Sequence, residues 1–277
     1  MISNMTILEN VLTKIITKYT SESKLGLMYS GGLDSSIIAK ILLKLIPLDS
    51  INFITVGELT SYDINNARKG AEILGFDLNL CILTLDKVRN GINDLKNLKF
   101  IRSPKDLSIA IPLYLGMKQL ANEKTVVKIF LGQGADELFG GYNRYELMFE
   151  KGIIEKIKQQ MKTDLDFLRL NQVKMEKELA DKVGVELIYP YLDEELIEFA
   201  QNLPYNKLLC KNEHDKIIRK VYLREVANSL GLKYNMVEQD KKAIQYGSNT
   251  IKLIRAIVKA DGYKDIRKWF DEEYLDL

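Results

Sequence analysis

The chain reads as an α/β protein, a doubly wound parallel sheet with a mostly helical C-terminal part. Three observations predict this. Short apolar runs alternate with segments of helical period through the first half. Two Gly-containing turns each follow an apolar run and precede a helix. The second half is helical by pattern, with few breaks. We read residues 1–277 as one unit, with the α/β part at about 1–150 and the helical part at about 151–277. No stretch rich in Gly, Pro or Ser divides it, and no internal repeat is visible.

The elements follow in order. Between Ile7 and Tyr19, residues Ile7, Leu8, Val11, Leu12, Ile15 and Ile16 fall at helical spacing. Lys24 to Tyr29 is an apolar strand that runs into Ser30-Gly31-Gly32. Ser35 to Leu45 returns to helical period and is stopped by Pro47. Ile51 to Val56 is a second strand, and Ser61 to Leu74 a second helix closed by Gly75. Leu78 to Leu85 is a third strand, and Ile109 to Ala121 a helix. Thr125 to Leu131 is a fourth strand, ending at Gly132-Gln133-Gly134. Beyond it, Tyr189-Pro190-Tyr191 and Leu203-Pro204 are the clear breaks. In such sheets ligands sit at the carboxyl ends of the strands, and both Gly turns lie at that edge.

Composition excludes several function classes. With 40 Lys and Arg against 38 Asp and Glu, the net charge is +2, too small to draw the chain to nucleic acid or a membrane. Cys81 and Cys210 make no disulfide framework and no metal-ligand spacing, as expected of reduced thiols in a cytoplasmic protein. His214 is the only histidine, which argues against a His-rich zinc site. No secretory leader pattern opens the chain, and no run of ~18 apolar residues predicts a membrane span. This composition is compatible with a homo-oligomer.

Ser30-Gly31-Gly32-Leu33-Asp34-Ser35-Ser36 is the most informative stretch. Two glycines let the backbone turn tightly and approach a ligand. The helix that follows points its free amides and positive dipole end at the turn. Hydroxyls of Ser30, Ser35 and Ser36 add donors, so the whole suits a phosphate-like anion. Asp34 suits a magnesium ion beside polyphosphate. No Gly-Lys-Ser/Thr follows, so this is not a Walker A loop.

This string resembles the PP-loop of the ATP pyrophosphatases, which cleave ATP between the α- and β-phosphates. A second motif is similar to the asparagine synthetase signature: Leu131-Gly132-Gln133-Gly134-Ala135-Asp136-Glu137-Leu138-Phe139-Gly140-Gly141-Tyr142. The resemblance implies an adenine nucleotide α-hydrolase-like fold, with ATP and Mg²⁺ bound. It implies a C–N ligase that adenylates a carboxylate, aspartate in the family, for attack by ammonia. Asp34 and Asp136 would hold the metal, with Glu137 beside them. Tyr29, Ser30, Gly31, Gly32, Leu33, Asp34, Ser35, Ser36, Val56, Leu131, Gly132 and Gly134 would contact ATP or pyrophosphate. Lys216-Ile217-Ile218-Arg219 resembles a helix whose lysine neutralises pyrophosphate, which makes Lys216 and Arg219 candidate catalytic residues along with Gln133.

Three positions depart from the family pattern. Gln133 stands where a glutamate is usual, and an amide takes no proton at neutral pH. Ser108 and Ile188 stand where arginines are usual, which removes two forks for a carboxylate. Glutamine-dependent members open with a catalytic cysteine after the initiator Met, whereas this chain opens Met1-Ile2-Ser3. The expectation is therefore free ammonia, a different nucleophile, or ammonia from a separate glutaminase subunit. Three alternatives stay open: an amidoligase or cyclase acting on another carboxylate, a nucleotide-binding subunit, and an RNA-modifying PP-loop enzyme.

Overall fold

A computed structural model describes residues 7–21, 24–96, 98–232 and 243–275. Its centre is a parallel sheet of β1 (Leu25–Met28), β2 (Ile51–Gly57), β3 (Leu78–Ile82), β4 (Lys128–Phe130) and β5 (Glu186–Ile188), in the order β3-β2-β1-β4-β5. The chain builds outward from β1 to β3, then crosses back to place β4 on the other side of β1. Strand order therefore reverses between β1 and β4, the point at which open α/β sheets form their ligand crevice.

The helices are α1 (Ile7–Thr17), α2 (Leu33–Leu45), α3 (Tyr62–Leu74), α4 (Leu85–Asp94), α5 (Pro104–Lys124), α6 (Ala135–Phe139), α7 (Asn143–Glu150), α8 (Ile154–Phe167), α9 (Val173–Val183), α10 (Glu194–Gln201) and α11 (Val221–Ser229). Later come α12 (Ile244–Gly247), α13 (Thr250–Ala260) and α14 (Ile266–Trp269). Strand alternation divides the core in two. Phe53 and Phe130 point into one cluster, with Leu8, Leu12, Ile38 and Leu42 of α1 and α2. Ile54, Val56, Ile129 and Leu131 point into the other, with Ile111, Leu113 and Ile254. Both faces are covered, as a parallel sheet requires.

Gly75 closes α3 in the left-handed conformation, at φ 75°. Other boundaries differ from expectation. The third strand stops at Ile82, because Thr84 accepts a hydrogen bond from Lys87 N and starts α4. The helix expected at 109–121 begins at Pro104, where Ser103 accepts from Asp106 N and donates to Asp106 Oδ2. That local exchange of bonds is a strong start signal.

Two corrections concern the second half. A fifth strand, Glu186–Ile188, joins the sheet, so the α/β part extends past residue 150. The helix expected around 216–219 is instead an antiparallel hairpin of β6 (Leu209–Lys211) and β7 (Ile217–Arg219). β-branched Ile217 and Ile218 suit a strand. Asn212 Oδ1 also ties the turn by accepting from the amides of His214 and Lys216. Among the described residues, no helix is long and apolar enough to cross a membrane.

Candidate active site

The loop after β1 is built from glycine and serine. Gly31 has φ 74°, and a Cβ there would lie 2.5 Å from Asn66 O, so both conformation and space demand glycine. Ser35 Oγ meets Ser30 Oγ at 3.2 Å and donates to Gly32 O at 3.2 Å, which knits the turn. The Gly32 N-cap of α2 supplies no side-chain cap, whereas α3, α4 and α5 are capped by Ser61, Thr84 and Ser103. The amides of this first turn, with the positive end of the helix dipole, therefore face the loop without a side chain over them.

Tyr29 and Ser36 stand behind the loop. Their hydroxyls are 3.2 Å apart in the core, with the Tyr29 ring edge-on to Phe53 and Phe76. Burial pushes the Tyr29 phenol up to about 12. Leu33 packs partly against the same core. Val56, next to the end of β2, and Leu131, just past β4, lie in the opposite cluster.

The loop after β4 lies against the first. A Cβ on Gly132 would come 3.4 Å from Asp34 Cβ. Gly134, at φ 95°, rests on Leu192, and the Tyr191 hydroxyl donates to Asp34 O at 3.1 Å. The segment after β5 thus supports both loops.

Lys220 fills the space between the loops. Its ammonium lies 2.6 and 2.7 Å from the two oxygens of Asp34, and 2.7 Å from Asp136 Oδ1. The three side chains are only 7%, 5% and 13% exposed. Lys220 itself is left-handed, φ 55°, at the start of α11. Strain of that kind persists where surrounding contacts over-determine it. A Cβ on Gly141 would overlap Asp136 Oδ1 and Lys220 Cε, so the second glycine of the pair admits the lysine stem. Arg219 Nη1 donates to Gly141 O at 3.0 Å, and its Nε pairs with Glu146 at 3.2 Å. Glu137 accepts from the Tyr142 hydroxyl at 2.5 Å, and burial together with these acids drives that phenol far above its usual range.

Lys216 is not brought to this cluster. It stands exposed in the hairpin turn, and among the described residues no ion pair or hydrogen bond links its ammonium to the loops. The lysine that does reach the cluster, Lys220, is four residues on. The segment expected to be a helix is a strand that ends one residue before Lys220. Had the Ile-Ile pair been read as a strand, the lysine closing it would have been the candidate.

Gln133 is half-buried and donates from Nε2 to Glu176 Oε1 at 2.6 Å. Glu176, on α9, is completely buried and also accepts from Gln172 at 2.9 Å. Burial pushes its carboxyl up. Sequence reading gave no reason to notice it, since a glutamate on an amphipathic helix ordinarily faces solvent. Ser108 is buried inside α5 with its hydroxyl turned back to Lys105 O, and Ile188 is a core residue of β5.

The chain is similar to known proteins. A family model described as asparagine synthase matches residues 8–152 and 150–276. The putative asparagine synthetase [glutamine-hydrolyzing] 1 of Methanocaldococcus jannaschii is 30% identical over 297 residues, covering 95% of this chain and 52% of that protein. The asparagine synthetase [glutamine-hydrolyzing] of Gallus gallus is 27% identical, covering 99% of this chain and 47% of that one. The chain spans about half the length of the curated relatives it matches. Among solved structures, NMN synthetase from Francisella tularensis aligns at TM-score 0.46 and 12% identity, over 97% of this chain and 90% of that one.

Proposed function

The chain belongs to the asparagine synthase family, and from that premise we propose that it is an ATP-dependent synthetase forming an amide, AMP and pyrophosphate. It adenylates a small carboxylate, aspartate in the family pattern, and ammonia attacks the acyl-adenylate. The nitrogen arrives as free ammonia or from a glutaminase. One observation carries the reading. Carboxylates from two glycine loops, Asp34 and Asp136, meet one ammonium at the strand-order reversal, beside an uncapped helix start.

The residues divide the work. Amides of the first turn of α2 and the Gly31-Gly32 backbone bind phosphate oxygens. Lys220 and the uncapped amides offset charge as pyrophosphate departs. Asp34 and Asp136 fit a magnesium ion, since both already reach one cation, the Lys220 ammonium, in the space between the loops. Magnesium is commonly held by one or two carboxylates plus phosphates, and among the described residues no group of three acids or other ligands is preformed. When bound, the ion would supply neutralisation of triphosphate charge. Arg219 holds Gly141 and so the wall of the site.

A second reading, a carboxylate other than aspartate, is favoured by Ser108 and Ile188. Both are buried where the family pattern has arginines, so neither offers a fork. The test is a screen of aspartate, other amino acids and small carboxylates with MgATP, with and without ammonium. Equal amounts of AMP and pyrophosphate are expected. Formation of ADP and phosphate would sink the class of reaction.

A further inference from the structure

The Gln133 side chain is half-buried on the loop between two glycines, and Gly132 packs that loop against Asp34. Its flanking glycines carry no side chain that could fix the orientation of the amide. Glu176 does. Its Oε1 accepts from Gln133 Nε2 at 2.6 Å and from Gln172 Nε2 at 2.9 Å. Two amide donors on one oxygen make that oxygen an acceptor whether or not the carboxyl carries a proton. Gln133 must then turn its NH₂ inward and its carbonyl Oε1 outward. No described residue donates to that carbonyl.

Burying a carboxyl is costly, and a leucine at this helix position would pack without the penalty. Glu176 is nevertheless 0% exposed. Its Oε2 and the Tyr189 hydroxyl are both sealed from solvent without a hydrogen-bond partner, although each shifts the titration of the other. The Tyr189 hydroxyl is the donor available to Oε2 and works to hold the carboxyl down against its burial, which leaves Oε1 as the acceptor for the amides. An incompletely satisfied buried group in a polar cluster calls for a reason other than stability.

We propose that Glu176 is a positioning residue: it locks the Gln133 amide so that Oε1 faces the site as a neutral acceptor for an N–H of the incoming nitrogen nucleophile. This rests on the amide-forming reading above. A neutral acceptor orients ammonia without adding a negative charge beside Asp34 and Asp136. What the position requires is an acceptor at residue 176, not its charge.

The experiment uses the whole chain, MgATP, ammonium chloride and the carboxylate that supports pyrophosphate release. It reads KM for ammonium and the fraction of AMP matched by amide. Glu176→Leu should raise the ammonium KM at least ~10-fold, equivalent to about 1.4 kcal/mol, and lower that fraction. Glu176→Gln should stay within a few-fold of the parent, because its carbonyl still accepts from both amides. Gln133→Met, at a half-buried position, should match Glu176→Leu. The double variant Gln133→Met/Glu176→Leu should be no worse than Gln133→Met alone, as expected of two residues acting as one unit. An unaffected Glu176→Leu, an additive double variant, or a Glu176→Gln as impaired as Glu176→Leu would each overturn the positioning role. Parent protein that releases no AMP and pyrophosphate with any carboxylate overturns the amide-forming reading, and this inference with it.

Discussion

The Lys220 ammonium lies 2.6 Å from Asp34 Oδ1 and 2.7 Å from Asp34 Oδ2, across 186 residues of sequence. It does for the two loops what a divalent cation would do, drawing Asp34 and Asp136 to one point. A buried pair of this kind is weak evidence for stability, but breaking it from one side leaves carboxylates uncompensated.

Lys220→Met is expected to lower stability by about 3–5 kcal/mol, because two acids then face each other in a dry cleft. Added Mn²⁺ should recover part of that loss. Electron paramagnetic resonance of Mn²⁺ without nucleotide reads this directly. The variant should bind the ion, and the parent should bind it much more weakly, since its own ammonium competes. Equal Mn²⁺ binding by both would contradict the arrangement.

Lys216→Ala separates the lysine of the hairpin turn from Lys220, which follows the hairpin. Its side chain is exposed and makes no ion pair with the loops, so pyrophosphate release should change less than ~2-fold, as for most surface substitutions. Lys220→Ala should reduce release by orders of magnitude. The reverse ranking would restore Lys216 as the site lysine.

Gly141→Ala tests the steric gate. The added methyl overlaps Asp136 Oδ1 and Lys220 Cε, so one of the pair must move. Thermal melting should show a loss of about 1–3 kcal/mol, the usual cost of overpacking. Pyrophosphate release should fall far more than that loss of folded protein explains.

The buried carboxyl of Glu176 makes stability fall with rising pH. Desolvation raises its folded pKa above the usual 4.5, so the folded state binds the proton more tightly than the unfolded chain does. Below 4.5 both states are protonated and no penalty exists. Stability is then lost as pH climbs from 4.5 through the folded pKa. Glu176→Gln should flatten that part of a denaturation-versus-pH profile. An unchanged slope would mean the carboxyl is ionised without cost.

What could be read along the chain was local. Ser30-Gly31-Gly32 between an apolar strand and a helical run, and the alternation of such runs, report a doubly wound sheet. Turn, strand period and helix period are all written within a few residues of one another. Gly75 was legible for the same reason. The fifth strand was not, because three residues, Glu186 to Ile188, carry no period, and only pairing with Lys128 to Phe130 makes them a strand. The hairpin around Asn212 likewise depends on Leu209 finding Arg219. Glu176, and the pairing of Lys220 with two acids, were decided by the tertiary structure. A lysine or glutamate in a polar stretch looks solvated until distant segments bury it, and a buried charge is tolerable only where partners converge: Asp34 from residue 186 positions away, Gln133 from 43 away.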